Sequence, residues 1–236
     1  MKTAIFVNGE FREFDISIQS WRFLQEMDCD VYVSTWKKCI QYSRNINFYL
    51  EEDITEDNVH KHIPNATISI LDINNYDFSS DNAYHNGKQT FHWKNCLKMA
   101  NESGKHYDQI MLVRPDDYLF YGPSYENFHS LNDDKLIYGL TKIIISPQGD
   151  YFLADYFFFG NYGPMSLMID TLPREMPENI HTCLPKHIQS IGLDVKQIDQ
   201  FDMCLVRPTM RGITEINRQV LQDKWEEWGN NMFNRL

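Results

Sequence analysis

The stretch YDQIMLVRPDDYLFY, Tyr107 to Tyr121, carries an apolar run from Ile110 to Val113, then Arg114, Pro115, Asp116 and Asp117, and a second apolar run from Leu119 to Tyr121. An unbroken apolar run of this kind fits a central strand of an α/β sheet, covered on both faces, better than a half-exposed edge. In open α/β sheets ligands gather just outside the carboxyl ends of such strands, which is where Asp116 and Asp117 fall. Carboxylates placed there suit a hard divalent cation, which in turn neutralises phosphate oxygens that the acids would repel. Pro and Asp are equally ordinary in a tight turn, and that is the competing explanation.

Composition narrows the field around that strand. A chain of 236 residues with 42% hydrophobic content suits one α/β domain spanning residues 1–236. Its five cysteines are odd in number and contain no CxxC pair, which argues against a disulfide framework or a zinc site and for a reducing, cytoplasmic setting. The apolar run in MKTAIFVNGEF is too short for a signal peptide, and Asp155 interrupts the most apolar later stretch, so no transmembrane segment is expected. A net charge of −11 disfavours a nucleic-acid polymer as partner, because affinity there comes from Lys and Arg displacing counterions. A nucleotide held through a metal is compatible with that charge.

Upstream, Thr3 to Val7 is a β-rich run that breaks at Asn8-Gly9 into the polar loop NGEFREF. Gly9 permits close approach of backbone to a ligand, and Arg12 offers a forked donor for phosphate, although an arginine in this place is more often a solvated surface charge. Asp15 is placed to cap a helix in which Phe14, Ile18, Trp21 and Gln25 share a face. Val31 to Val33 is a second strand leading into Ser34, Thr35 and Trp36, where a hydroxyl and an indole stand where a base or ribose would lie. Core packing accounts for Trp36 equally well. Lys37 to Asn65 is expected to be irregular apart from a helix over Glu56 to His62, and Ala66 to Leu71 is a third strand. Asn74 to Lys88 has no apolar period and is expected to be a flexible loop. Trp93, Cys96, Leu97 and Ala100 then fall at i, i+3, i+4 and i+7 of a helix ended by Gly104, with His92 and Lys94 off that face and solvated.

Downstream, Lys135 to Tyr138 and Ile143 to Ile145 are strand-like. ADYFFFGNYGPM, Ala154 to Met165, carries Asp155 into an aromatic run that stops at Gly160, with Pro164 suited to a first helical turn. Aromatic faces stack on sugar rings, while a bulky central strand is the plainer explanation. PENIHTCLPKHIQSIGL sets Glu178 at a helix N-terminus, where a carboxylate is favoured by the helix dipole whether or not it has any chemical role. Val195 to Ile198 and Met203 to Val206 are late strands, and Thr214 to Phe233 is a capped amphipathic helix. Helices and strands alternate in the first half and strands dominate the second, which implies a mixed sheet.

The succession NGEFREF, DVYVSTW, FHWKNCLKMA, YDQIMLVRPDDYLF, ADYFFFGNYGPM and PENIHTCL resembles a family of glycosyltransferases of GT-A fold found in polysaccharide loci and viral genomes. The resemblance covers most of the chain. It implies a GT-A-like, Rossmann-type mixed sheet flanked by helices, and an R-x-D version of the DxD metal motif at Arg114 and Asp116. Asp117 then occupies a position that is usually apolar. The missing first acid leaves open weaker metal binding, recruitment of Asp117, or partial replacement of the metal by Arg114.

The expected activity is transfer of a sugar from a nucleoside diphosphate sugar to a carbohydrate hydroxyl, assisted by Mn²⁺ or Mg²⁺ on Asp116 and Asp117. Asn8, Gly9, Arg12, Thr35, Trp36 and Arg114 are the expected donor-binding residues. Glu178 is the first candidate for the acid beside the acceptor and Asp155 the second. Two rivals differ in class. A degenerate member would bind glycans or sugar nucleotides without transfer, and a metal-dependent nucleotidyltransferase would require a glycine-rich phosphate loop with a Lys, which NGEFREF lacks.

Overall fold

The computed structural model describes residues 1–11, 14–43, 48–76, 81–121, 128, 130–139, 142–144, 151–153, 155, 157–173, 180–198, 202–205, 219–220 and 223. The chain begins with strand β1 (Thr3–Asn8), the short helical turns α1 (Phe14–Ser17) and α2 (Phe23–Glu26), and β2 (Cys29–Trp36). A hairpin of β3 (Lys38–Ser43) and β4 (Phe48–Asp53) follows, then α3 (Glu56–His60), β5 (Thr67–Leu71) and the long helix α4 (Asp81–Glu102). Next come β6 (Gln109–Val113), β7 (Asp117–Tyr121), β8 (Leu136–Gly139), β9 (Lys142–Ile144), β10 (Tyr151–Leu153) and β11 (Phe157–Asn161). Helices α5 (Tyr162–Thr171) and α6 (Ile180–Ser190) precede β12 (Asp194–Gln197) and β13 (Asp202–Leu205).

Seven strands form the main sheet in the order β12-β8-β11-β6-β1-β2-β5. The pairs β12·β8, β6·β1, β1·β2 and β2·β5 are parallel, and β11 runs against both of its neighbours. This is the Rossmann-type mixed α/β sheet flanked by helices that the GT-A resemblance implies. From β1 the chain steps outward through β2 to β5, then crosses back to β6 on the other side of β1. The switch in direction therefore lies between β1 and β6, and a crevice opens at their carboxyl ends.

The apolar run of β6 explains why this strand is central. Ile110 and Leu112 join the core on one face, with Trp93, Cys96, Leu97 and Ala100 of α4 and with Met165 and Met168 of α5. Met111 and Val113 join the core on the other face, with Phe14, Trp21 and Val59. The aromatic run of β11 divides in the same way, Phe158 toward the first core and Phe157 and Phe159 toward the second. All are fully buried, each contributing about 1.5–3 kcal/mol. Gly160 is required by packing: a Cβ there would lie 3.2 Å from Cγ of Met165.

The amino ends of the parallel strands are fastened by charge. Asp30, at the start of β2, accepts hydrogen bonds from Lys105 (2.9 Å) and Tyr107 (2.7 Å) and pairs with Lys2 (2.9 Å). Burial works against an ionised Asp30, but these donors outweigh it and hold its pKa at about 2.

Four expectations need correction. Residues 38–43 and 48–53 are paired strands rather than irregular chain. Helix α4 begins at Asp81, so the second half of the expected flexible loop is helical. The helix expected around Asp15 is broken into α1, a 3₁₀ turn at Ile18–Ser20 and α2, with Asp15 inside the first turn rather than capping it. His92 is not solvated but fully buried, and Lys94, half-buried, donates to the carbonyls of Asp170 (3.0 Å) and Leu172 (2.6 Å) at the end of α5, where a cation is favoured. Most of the expected C-terminal helix lies outside the described residues. Among the described residues no helix is long and apolar enough to cross a membrane.

Candidate functional site

The crevice between β1 and β6 is closed at its floor by one amide. Asn8 Nδ2 donates to the carbonyls of Phe6 (3.1 Å) and Val113 (3.2 Å), and its Oδ1 accepts from the indole of Trp93 at 2.6 Å. The side chain is thus consumed in holding the ends of β1 and β6 to each other and to α4, at 1% exposure. Gly9 follows with φ of +111°, a conformation that glycine adopts without penalty. Its N–H donates to the carbonyl of Ser34, fastening the loop to β2.

Past Val113 the chain turns sharply, with Asp117 N–H donating to the Arg114 carbonyl at 3.1 Å. The Asp117 carboxylate returns the bond, accepting from Arg114 N–H at 2.9 Å. Ser17 bonds to the carbonyl of Pro115, and the Trp21 indole donates to that of Asp117 at 2.8 Å. Ser17 at the end of α1 and Trp21 ahead of α2 therefore brace this turn. Within it, Arg114 forks onto Asp116, Nε to Oδ1 and Nη2 to Oδ2, both at 2.9 Å. A two-point pair of this kind is short and fixed in direction.

Asp155, which precedes β11, completes the cluster. Because β11 is antiparallel to β6, its starting end meets the carboxyl end of β6: Phe157 lies opposite Val113. Asp155 Oδ1 consequently lies 3.9 Å from Arg114 Nη1 and 3.7 Å from His181 Nδ1, beyond hydrogen-bond distance in both cases. Its backbone carbonyl accepts from Gln89 Nε2 of α4 at 3.0 Å. Asp116, Asp117 and Asp155 are all buried, and Oδ1 of both Asp117 and Asp155 has no hydrogen-bond partner among the described residues.

Among the described residues, Arg114 is thus the cation that three carboxyl groups share. Burial opposes the charged guanidinium, but Asp116 and Asp155 outweigh it and push the Arg114 pKa up. Burial, reinforced by the charge of Asp116, drives the Asp117 carboxyl well above the usual carboxylate range. Asp117 is therefore the member of the cluster whose charged form is most disfavoured, and its Oδ1 is buried without a partner among the described residues. A divalent cation does not fit this donor set. Both Asp116 oxygens are engaged by a guanidinium that would repel it, one Asp117 oxygen is bound within its own turn, and no group of three ligating side chains suited to a metal occurs among the described residues.

Thr35 and Trp36 end β2 as buried residues. Trp36 packs against Tyr76, Phe91 and His92, the His92 ring centroid at 4.5 Å. Beside it lies a buried polar chain that sequence reasoning missed: Asn95 Nδ2 donates to Ser34 Oγ at 3.0 Å, and Ser34 Oγ bonds His92 Nδ1 at 2.7 Å. Its only sequence signal is that His92 and Cys96 are four apart, so that they share a helix face. His181 was also missed, although it sits three residues after Glu178 in a quoted motif. Arg12 and Glu178 lie outside the described residues. The structure thus brings Arg114, Asp116, Asp117 and Asp155 together, sets Asn8 and Gly9 on the crevice floor, and places Thr35 and Trp36 at the neighbouring strand end.

His92 carries a pH prediction. Burial, with a contribution from the charge of Lys88, lowers its pKa from 6.5 to about 3. The unfolded chain takes up a proton near pH 6.5 and the native chain does not, so the stability His92 contributes is present above about 6.5 and lost as pH falls toward 3. Asp30, lowered from 3.8 to about 2, adds to this only below about pH 4. We predict that urea midpoints of the parent drop between pH 7 and 4.5, and that His92→Gln flattens that drop. An equal drop in both proteins would show that His92 is not the group responsible.

No protein-family model matches the sequence, and no curated protein matches it. Among solved structures the chain is similar to a protein from Bacillus anthracis assigned as a glucose-1-phosphate thymidylyltransferase, in complex with a sucrose. The likeness has a TM-score of 0.44 at 10% identity and covers 85% of this chain and 88% of that one.

Proposed function

We propose that the chain is a glycosyltransferase that moves a sugar from a nucleoside diphosphate sugar to a carbohydrate hydroxyl. The observation that carries this reading is the meeting of Arg114 and Asp116 from the end of β6 with Asp155 from the start of β11, at the carboxyl-end crevice of a Rossmann-type sheet. Glycosyl transfer requires a cationic group for the departing diphosphate and an acid on the acceptor side. Arg114 supplies the first, its geometry held by Asp116 before any ligand arrives, so that little reorganisation is needed as negative charge develops. Asp155 or Glu178 supplies the second, orienting the acceptor hydroxyl and taking its proton. Gly9, Thr35 and Trp36 are the donor-side residues in this reading, with Asn8 holding the two strand ends beneath them, and Arg12 is proposed as a further donor-binding residue.

The test is a panel of nucleoside diphosphate sugars, with and without oligosaccharide acceptors, read out by release of the nucleoside diphosphate. Release that rises on adding acceptor is the expected outcome. Nucleotide binding without release would assign the chain to the binding-only class. Release of pyrophosphate from a nucleoside triphosphate and a sugar phosphate would make it a nucleotidyltransferase.

A further inference from the structure

We propose that Arg114 is the resident cation of the crevice and that the chain binds its diphosphate without a divalent metal at Asp116 and Asp117. The inference rests on the glycosyl-transfer reading only for the nucleoside attached to that diphosphate. Three observations carry it. The first is the fork: with both Asp116 oxygens held at 2.9 Å, a metal bound there would sit beside a guanidinium of the same sign. The second is direction. Asp117 Oδ2 is bound to Arg114 N–H within the turn, which leaves this carboxyl a single oxygen, the fully buried Oδ1, for any ligand.

The third is exposure. The side chain of Arg114 is 17% exposed, against 5% for Asp155 and 1% for Asp116, and Asp117 is fully buried. The most exposed member of the cluster is therefore the cation, and an incoming anion has positive charge to meet. A planar guanidinium matches phosphate oxygens at two points, which makes the ligand class a phosphate or diphosphate anion. Here Asp116 is a positioning residue: it fixes the plane of the guanidinium and touches no substrate.

The experiment uses calorimetry with Mn²⁺ alone, with inorganic pyrophosphate in EDTA, and with UDP or GDP in EDTA and in Mn²⁺. The parent should bind no stoichiometric Mn²⁺, and should bind pyrophosphate and nucleotide equally well in EDTA and in Mn²⁺. The double variant Arg114→Gln with Asp116→Asn removes the cation together with its paired acid, so that the net charge of the cluster is unchanged, and should weaken pyrophosphate by about tenfold or more. Arg114→Asp, which restores an acid at that position, should gain a melting temperature that rises with Mn²⁺. Stoichiometric Mn²⁺ on the parent, or nucleotide bound only with Mn²⁺, overturns the inference and leaves glycosyl transfer standing. Pyrophosphate bound in EDTA with no nucleotide bound at all overturns the glycosyl-transfer reading and leaves the inference standing. A parent that binds neither pyrophosphate nor nucleotide overturns the inference.

Discussion

Asp116→Asn is expected to lower stability by about 3–5 kcal/mol, while the same change at Asp117 costs far less, on the order of 1 kcal/mol. The two residues are neighbours, equally buried and identical in chemistry, so burial alone predicts equal effects. Their partners differ. Asp116 neutralises Arg114 through two bonds, and an amide can accept only one of them, which takes away the nearest counter-charge of a largely buried guanidinium. Asp155 stands too far away, at 3.9 Å, to take over the fork. Burial already disfavours the charged form of Asp117, and its one accepted bond, from Arg114 N–H, is kept by an asparagine carbonyl oxygen. Urea unfolding of both variants at pH 7 measures the difference. Equal losses, or a larger loss at Asp117, would show that the charge of the cluster is distributed otherwise.

The second large effect is predicted on transfer. Asp155→Asn should reduce the rate by roughly a hundredfold or more while leaving the melting temperature within a few degrees of the parent, the effect typical of losing a general base. The side chain is 5% exposed and forms no hydrogen bond at Oδ1, so an amide of the same shape fits the same space without breaking a native contact there. Glu178→Gln is the companion variant. If Glu178 is the acceptor-side base, that variant carries the hundredfold loss and Asp155→Asn only a modest one, felt through Arg114 and His181. Rates and melts from the same preparations decide between the two. Full activity in both variants would remove the proposed base from the site, and a collapse in melting temperature would make either loss one of folding.

The legible parts of this chain are those whose signal is local. Ile110 to Val113 announced a strand buried on both faces, and it pairs with β1 and β11 in the middle of the sheet. The Trp93–Ala100 period announced the face of α4 that meets the sheet, and Gly104 stands just past its end with φ of +69°. What was missed depended on distant partners. The residues from Asp81 to Gly87 include Asn, Asp and Gly, weak helix formers, and they are helical as the first turns of a helix whose stability comes from its packed second half. His92 looked solvated because it lies off the apolar stripe, and it is buried because the end of β2 supplies Ser34 and the Trp36 ring to cover it. At the site, the presence of two strand-end acids was readable, whereas the fork that occupies one of them was not. Arg114 and Asp116 are two residues apart, and only the turn braced by Ser17 and Trp21 brings their side chains face to face.

The reversed strand β11 brings a different kind of chain end to the ligand edge than an all-parallel sheet would. Strands β1, β2 and β6 reach that edge as they leave the sheet, whereas β11 reaches it as it enters, so the incoming peptide carries Asp155 and an outgoing one carries Arg114. Two opposite chain directions thus converge on one point, and the distance between acid and cation is set by the register that seats Phe157 against Val113.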